Sequence, residues 1–320
     1  MDRPGPAVSP LRAPATRRDF LKWLAVSAAG AVIPGLRGGP LFAGEAAPRP
    51  PDLVGVKEGA PAQMFDAGIR ALGGMGRFVK RGQTVLVKPN IGWSKTPNEG
   101  ATTNPELVGT IVESAYRAGA RKVFVFDHPV NSEKECYESS GIRKIVLEKK
   151  GEMRSGSDKS MYRKVEVKGG RLLKEVLVHE LYLDSDVVIN VPILKSHGGG
   201  RMTAALKNLM GVVWDRGEWH RRGLHQAIAE FPLVRKPDLN VIDAYLVMME
   251  NGPRGHSTED LSLKKMQLLS PDAVLADTAA AKVLDMDPAD VPYLKLAADL
   301  GIGSMDLDKS LVKRIVLKQR

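Results

Sequence analysis

Short β-branched runs alternate with longer segments of helical spacing from Leu53 onward, and this alternation restricts the fold more than any other feature of the sequence. Residues 84–88 and 122–126 have the composition of buried strands. Between them, Pro105–Arg117 has helical spacing, with Asn104 as N-cap and a proline at the first helical position. The alternation predicts an α/β fold, in which helices flank a mostly parallel sheet and right-handed crossovers join its strands.

The segment 130–180 departs from this alternation. A helix over 133–150 and a hairpin over 162–178 indicate an insertion or the edge of a subdomain, so the domain over 47–320 forms either one unit or two lobes. Neither a Gly-x-Gly-x-x-Gly nor a phosphate-loop motif follows a strand, so the layout is Rossmann-like without the dinucleotide fingerprint. Further predicted elements are strands at 53–57, 239–242 and within 309–320, and helices at 61–75, after Ser270 and at 291–300.

The stretch 186–214 has the pattern with most chemical information. A strand over 186–191 ends before Pro192, and glycines 198–200 are predicted to lead into a helix over 201–210. Lys207 would lie off the apolar face of that helix. A turn of this kind presents free backbone N–H groups at a helix N-terminus, which favours an anion.

Basic side chains in the same stretch have the sign that an anion requires. Lys195, Arg201 and Lys207 add positive charge, and His197 could carry a proton. We therefore predict a pocket for a phosphate or a carboxylate, with Asn208 among its binding residues. The alternative is an ordinary strand, turn and helix with solvated basic residues.

Polar residues also follow two earlier strands. Lys88 and Asn90 come at the end of the first, and Asp127 and His128 at the end of the second. Because the carboxyl ends of parallel strands meet at one edge, we expect these residues near Lys195 and the glycine turn. Asp127 and His128 could instead simply cap the following turn.

Four later residues are candidates for supporting roles. His220 and His225 could join His197 as ligands of a transition metal such as zinc or nickel, although the surrounding segment could equally be a lid or a surface loop. Arg254, in a turn-rich loop, could reach the pocket. Asp277 interrupts an apolar helix and, if buried, must find partners. It is therefore either an orienting group behind the site or a structural acceptor.

Several motifs resemble those of the domain of unknown function 362 family. The segment NVPILKSHGGGRMTAALKNLMGV is similar to the family's signature, and VLVKPNIGW, ATTNPELV, MENGPRGH and LLSPDAVLADTAAAKVL are similar to other family segments. The family's name records no function. Some members carry a cysteine-rich, ferredoxin-like segment, but this chain has only Cys136 and cannot ligate an iron–sulfur cluster with its own cysteines.

A second resemblance is at the level of a motif. The pattern His197-x9-Lys207 is similar to the region of nickel-pincer lactate racemases that holds a catalytic histidine and the lysine bearing the cofactor. FVFDHPV places His128 just past a strand, as those racemases place another histidine. The resemblance implies catalytic roles for His128, His197 and Lys207.

The first 46 residues are predicted to be a targeting segment. Arg17 and Arg18 lie in a motif that matches the twin-arginine signal, and the apolar run 23–33 is far shorter than the ~20 residues that span a bilayer. This predicts a cleaved leader, export to the periplasm by the twin-arginine machinery and no stable membrane anchor. The alternative is a basic amphipathic start of a cytoplasmic enzyme.

The net charge of +10 suits an acidic partner. No Lys/Arg run has interleaved aromatic residues, so the sequence favours a small anionic molecule over nucleic acid. Two function classes follow. One is an exported enzyme, such as a racemase or oxidoreductase acting on a hydroxy acid, with His128 and His197 as acid and base and Lys88 or Arg201 on the carboxylate. The other is a non-catalytic redox-accessory protein that holds a metal or ligand.

Overall fold

A computed structural model describes residues 49–318, so the predicted targeting segment lies outside the described residues. The strands in chain order are β1 (Leu53–Lys57), β2 (Thr84–Pro89), β3 (Lys122–Val125), β4 (Glu152–Met153), β5 (Tyr162–Glu166), β6 (Glu175–His179), β7 (Val187–Val191), β8 (Ile193–His197), β9 (Arg201–Thr203), β10 (Leu239–Met248), β11 (Leu261–Ser270) and β12 (Val312–Val316). The α-helices are α1 (Pro61–Ala71), α2 (Pro105–Arg117), α3 (Glu133–Ser139), α4 (Ile142–Glu148), α5 (Glu180–Asp184), α6 (Ala205–Asn208), α7 (Arg216–Arg222), α8 (Leu224–Glu230), α9 (Ala273–Val283) and α10 (Pro292–Asp299).

The main sheet has the order β12-β1-β11-β10-β7-β2-β3-β4, with β8 beside β10 and β9 beside β8. Its central pairs, β7–β2 and β2–β3, are parallel, so the predicted mostly parallel α/β sheet is confirmed. The strand β11 was not predicted, and it runs antiparallel to both β1 and β10. Among residues 49–318, no helix is long and apolar enough to cross a membrane.

Helix α2 forms where capping and periodicity place it. The Asn104 side chain accepts a hydrogen bond from the backbone N–H of Glu106 at 2.9 Å, as an N-cap should. Its inward face buries Leu107, Val108 and Ile111 completely. Burial of each such side chain contributes about 1.5–3 kcal/mol, so packing against the sheet holds this helix in place.

Two helices replace the single helix predicted over 133–150. Gly141 separates α3 from α4 with φ of 70°, a left-handed conformation that interrupts a helix. The predicted hairpin is confirmed, because β5 and β6 pair antiparallel as a separate two-stranded sheet. The described residues, 49–318, belong to one compact unit.

The structure corrects the prediction for residues 198–210. The three glycines turn a β-hairpin between β8 and β9, in which His197 pairs with Arg201. The helix α6 begins only at Ala205 and has four residues. The hydrophobic periodicity predicted the wrong helix limits because residues 202–213 are all buried, so no polar face marks where the helix begins and ends.

Candidate functional site

A cleft of about 640 Å³ lies at the carboxyl edge of the parallel strands. The register of the sheet aligns Lys88 of β2 with Asn190 of β7, and β3 runs beside β2. The ends of these strands therefore meet α6 and the β8–β9 hairpin. The ionisable side chains that line the cleft are Lys88, Asp127, His128, Lys195, His197, Lys207, Arg216 and His220.

A buried ion pair forms the floor of the cleft. Lys88 Nζ lies 2.8 Å from Asp127 Oδ1, and the two side chains are only 1% and 3% exposed. Asp127 Oδ2 accepts the N–H of Ile91 at 2.6 Å, and Oδ1 accepts the N–H of His128 at 3.0 Å. Burial lowers the pKa of Lys88, and the neighbouring carboxylate opposes that shift.

Two asparagines connect this pair to a second lysine. Asn208 Oδ1 accepts from Lys88 Nζ at 3.0 Å and from Asn90 Nδ2 at 2.9 Å. Asn90 Oδ1 in turn accepts from Lys195 Nζ at 3.2 Å. Asn208 Nδ2 donates to Asn190 Oδ1 at 2.9 Å, which anchors α6 on β7. The network fixes the orientation of both amides and of two lysines.

Lys195 and Lys207 are buried, and within residues 49–318 neither forms a salt bridge with an acidic side chain. Lys195 is 1% exposed, and its ammonium also donates to the carbonyl of Ala101 at 2.7 Å. Burial and the neighbouring charge of Lys207 lower the pKa of Lys195 to about 7. Lys207 is 9% exposed, with the sulfur of Met210 at 3.4 Å from Nζ. Burial and Arg216 lower its pKa to about 8.

Two of the three histidines that line the cleft have opposite hydrogen-bonding arrangements. His128 Nδ1 lies 3.2 Å from the carbonyl of Val213, so in the neutral ring this nitrogen carries the proton. His197 Nδ1 accepts the N–H of Gly200 at 3.1 Å, so its proton belongs on Nε2. Burial, with Lys207 and Lys195, lowers the pKa of His197 to about 3. Burial, with Arg216, also lowers the pKa of His128.

Asp277 caps the short helix that carries Lys207 and Asn208. Its Oδ1 accepts the N–H of Ala205 at 2.5 Å, and its Oδ2 accepts that of Leu206 at 3.0 Å. Burial raises the pKa of Asp277 to about 7, although both backbone hydrogen bonds oppose the shift. The N–H groups of the first two residues of this helix are therefore already used by the protein. The expected anion site at a helix N-terminus is wrong, and the positive charge of the cleft comes from side chains.

The residues that form the cleft fall within a known protein family. The family model described as Domain of unknown function (DUF362) matches residues 85–282, which include Lys88, Lys195 and Asp277. The chain belongs to the DUF362 family. The family prediction is therefore confirmed, and the ion pair and both buried lysines lie inside the DUF362 match.

One curated relative supports the same assignment. A thylakoid-associated protein of Synechocystis sp. is 31% identical over 250 residues, which cover 73% of this chain and 73% of the relative.

Two solved structures resemble this DUF362 protein in fold. The lactate racemase apoprotein from Thermoanaerobacterium thermosaccharolyticum aligns over 76% of this chain and 59% of its own length, with 9% identity and a TM-score of 0.42. A protein from Thermotoga maritima aligns over 71% of this chain and 60% of its own, with 13% identity and a TM-score of 0.43. The chain thus spans less than two thirds of the length of either.

The three histidines proposed as metal ligands are not grouped together in this DUF362 protein. His197 and His220 stack with ring centroids 6.5 Å apart, whereas His225 stacks on Tyr293 and does not line the cleft. Across residues 49–318, no three His, Cys, Asp or Glu side chains are placed to hold a metal ion. A metal held by such a set does not fit the described site.

Two arginines that the sequence suggested lie outside the cleft, and one that it missed lies inside. Arg201 is exposed, and Arg254 lies over the ring of Trp93 at 5.2 Å. Arg216 instead donates to the backbone carbonyls of His128 and Pro129. Its place at the start of α7, in a charged segment with no clear periodicity, left no sequence signal for this contact.

Proposed function

We propose that this DUF362 protein is an enzyme that binds a small anion through Lys195 and Lys207 and moves a proton with His128 and His197. The observation that carries the proposal is the opposite hydrogen bonding of the two histidines in one cationic cleft. One ring has a free nitrogen lone pair, and the other has a free N–H. Together they can remove a proton from a substrate and stabilise the negative charge that remains.

His128 is the proposed base. Its Nδ1–H donates to the Val213 carbonyl, so Nε2 is left to accept a proton. Trp214 stacks on the ring at 5.0 Å between centroids and holds its plane. Burial and Arg216 lower the pKa of His128, which favours the neutral ring that can act as a base.

His197 is the proposed hydrogen-bond donor. With a pKa of about 3 it stays neutral at physiological pH, and its Nε2–H can donate to an oxygen that gains negative charge. Lys195 and Lys207 would stabilise the same charge, since a water-poor cleft strengthens their effect. The reaction class is proton abstraction next to a carboxylate or carbonyl, as at the carbon of a hydroxy acid.

Solvent isotope exchange tests this role. Incubation in D₂O with lactate, glycerate and phosphoglycerate, followed by NMR, should show deuterium at the carbon next to the carboxylate of at least one compound. We expect His128→Gln to lower that rate by about 10²-fold or more, the usual contribution of a positioned base. His256→Gln is the matched control, because His256 is exposed and does not line the cleft. Exchange by the His128→Gln variant at the parental rate would overturn the assignment. Ligand binding without any exchange would identify a binding protein.

We further propose that the protein is exported by the twin-arginine route, on the strength of the Arg17-Arg18 pair and the short apolar run that follows it. Replacing both arginines with lysine preserves charge but removes the recognised pair. We expect the double variant to stay unprocessed in the cytoplasm of a host with the twin-arginine system, as measured by fractionation and immunoblotting. An Arg3→Lys/Arg12→Lys variant should be exported normally. Equal export of both double variants would contradict the proposal.

A further inference from the structure

We propose that the ligand of the cleft is a small dianion, a molecule with at least two negative charges such as a phosphate ester or a dicarboxylate. This inference rests on the proposed function, because it names the substrate class of the same site. It narrows the earlier expectation of a phosphate or a carboxylate, which a ligand with one negative charge would also satisfy. The charges that face the cleft favour a ligand with two negative charges over a ligand with one.

The cleft carries more positive charge than its own carboxylate can balance. Four lining side chains are lysine or arginine (Lys88, Lys195, Lys207 and Arg216), and Asp127 is the one carboxylate among the lining residues described. Asp127 is already the ion-pair partner of Lys88 at 2.8 Å. Three positive charges therefore face the space without a carboxylate, and a single acetate-like charge would leave two of them unbalanced.

The environment of the two remaining lysines makes this imbalance costly for the empty cleft. A buried ammonium without a partner loses its hydration, and a neighbouring cation adds repulsion. Lys195 has only neutral oxygen acceptors, from Asn90 and Ala101, and Lys207 has a sulfur neighbour. Salt bridges in the described chain include neither lysine. A bound dianion would supply the missing partner to both.

Arg216 is less available to a ligand than the lysines. It donates from two of its guanidinium nitrogens to backbone carbonyls, so fewer of its N–H groups are left for the two-pronged contact that arginine makes with a planar carboxylate. The cations left for the ligand are compact ammonium groups, which act as point charges and suit a tetrahedral phosphate or two separate carboxylates. The cleft volume of about 640 Å³ leaves room for the rest of a small molecule.

The same geometry predicts that the two lysines take up protons when a dianion binds. The groups that face the two lysines are Lys88, Asp127, Arg216, His197 and His220. In the empty cleft the pKa of Lys195 is about 7 and that of Lys207 about 8, so at pH 8 both are partly neutral. A dianion raises the pKa of each lysine because it favours the charged form. Binding at pH 8 should therefore take up on the order of one proton.

Calorimetry with simple probes tests the charge requirement. Sulfate, malonate and acetate are titrated into the protein at pH 8 in two buffers with different ionisation enthalpies. Burial lowers the pKa of each cleft histidine, which favours the neutral ring at this pH, and sulfate and malonate hold a constant charge, so the buffer difference reports lysine protonation. We expect saturable binding of sulfate or malonate, at least tenfold tighter than acetate, with proton uptake. Comparison of sulfate with malonate shows whether the two charges belong on one group or on two.

Lysine variants connect the uptake to the cleft. Lys195→Met and Lys207→Met should each weaken dianion binding at least tenfold and reduce the uptake, while thermal melting shows that each still folds. Lys149→Met is the matched control, because this lysine is partly exposed and pairs with Glu113. Acetate binding as tight as that of both dianions, or dianion binding without proton uptake, would overturn the inference while leaving anion binding intact. Failure of all three probes to bind would overturn the proposed anion site as well.

Discussion

Asp127→Asn is expected to destabilise the protein by about 3–5 kcal/mol, because it removes one partner of a buried ion pair and leaves the other charge without compensation. Lys88 is completely buried, and its ammonium lies 2.8 Å from the carboxylate. The amide of asparagine has one acceptor oxygen in place of two, so it cannot keep the N–H bonds of both Ile91 and His128 in this geometry, and a lost hydrogen bond adds to the loss of charge. The midpoint of thermal unfolding should fall by roughly 6–20 °C.

The pH dependence of this defect identifies its cause. Without Asp127, the pKa of Lys88 falls further, because burial then acts unopposed. The unfolded chain binds more protons than the folded one between this lowered pKa and the unfolded lysine pKa of about 10.4. The stability of the variant should therefore rise with pH across that window, and its deficit relative to the parent should shrink.

Two further variants serve as controls for the buried pair. Glu113→Gln breaks the partly exposed pair with Lys149, whose atoms are 2.6 Å apart, and should cost no more than about 1 kcal/mol. Lys88→Met combined with Asp127→Asn should recover much of the loss, since neither charge is then left buried and alone. An Asp127→Asn variant as stable as Glu113→Gln would refute the buried-charge account.

Gly211→Ala should produce the second large loss, of both stability and anion binding. A methyl group at Gly211 would overlap Asp127 Oδ1 and come within 2.5 Å of Lys88 Nζ. Neither side chain can move away easily, because Asp127 accepts hydrogen bonds from two backbone N–H groups and Lys88 is fully buried. Overpacking of this kind costs about 1–3 kcal/mol, and the displaced lysine should weaken sulfate binding severely.

A glycine with open space around it gives the comparison. Gly76 has no atom within 4 Å of the place that an alanine methyl group would take and no left-handed backbone, so Gly76→Ala should leave urea unfolding and sulfate titration nearly unchanged. If Gly211→Ala unfolded at the same urea concentration as Gly76→Ala and bound sulfate equally well, the close fit of Gly211 against the ion pair would have no energetic importance.

Local rules predicted those parts of the molecule that local interactions determine. The Asn104 cap and the helix after it form as expected, because capping and periodicity are properties of neighbouring residues. Lys88, Asp127 and His128 were expected at one edge because parallel strands end on the same side, and they do line one cleft. Their mutual contacts were beyond the same reasoning, since spacing along the chain does not specify which side chains meet.

Long-range contacts explain the errors. Lys207 was expected to lie off the apolar face of a helix, yet it is 9% exposed because hairpin β8–β9 and strand ends surround a four-residue helix. A buried Asp277 was predicted to need hydrogen-bond partners, and it has them. Its partners are the N–H groups of Ala205 and Leu206, and this choice depends on how α9 packs against α6. The position of Arg216 in the cleft could not be predicted, because its hydrogen-bond acceptors are backbone carbonyls, which every residue has.

The contact between Lys88 and Asn208 has a consequence for how the molecule folds. It closes a loop of 120 residues, and the cap of α6 by Asp277 closes another of 72. Contacts this distant form late, since chain entropy must be lost before they contribute. A partly folded chain that has paired only β2 and β3 would possess the floor of the cleft but neither Lys207 nor Asn208 in place. Affinity for a dianion therefore reports completion of the fold, and folding intermediates should not bind the ligand.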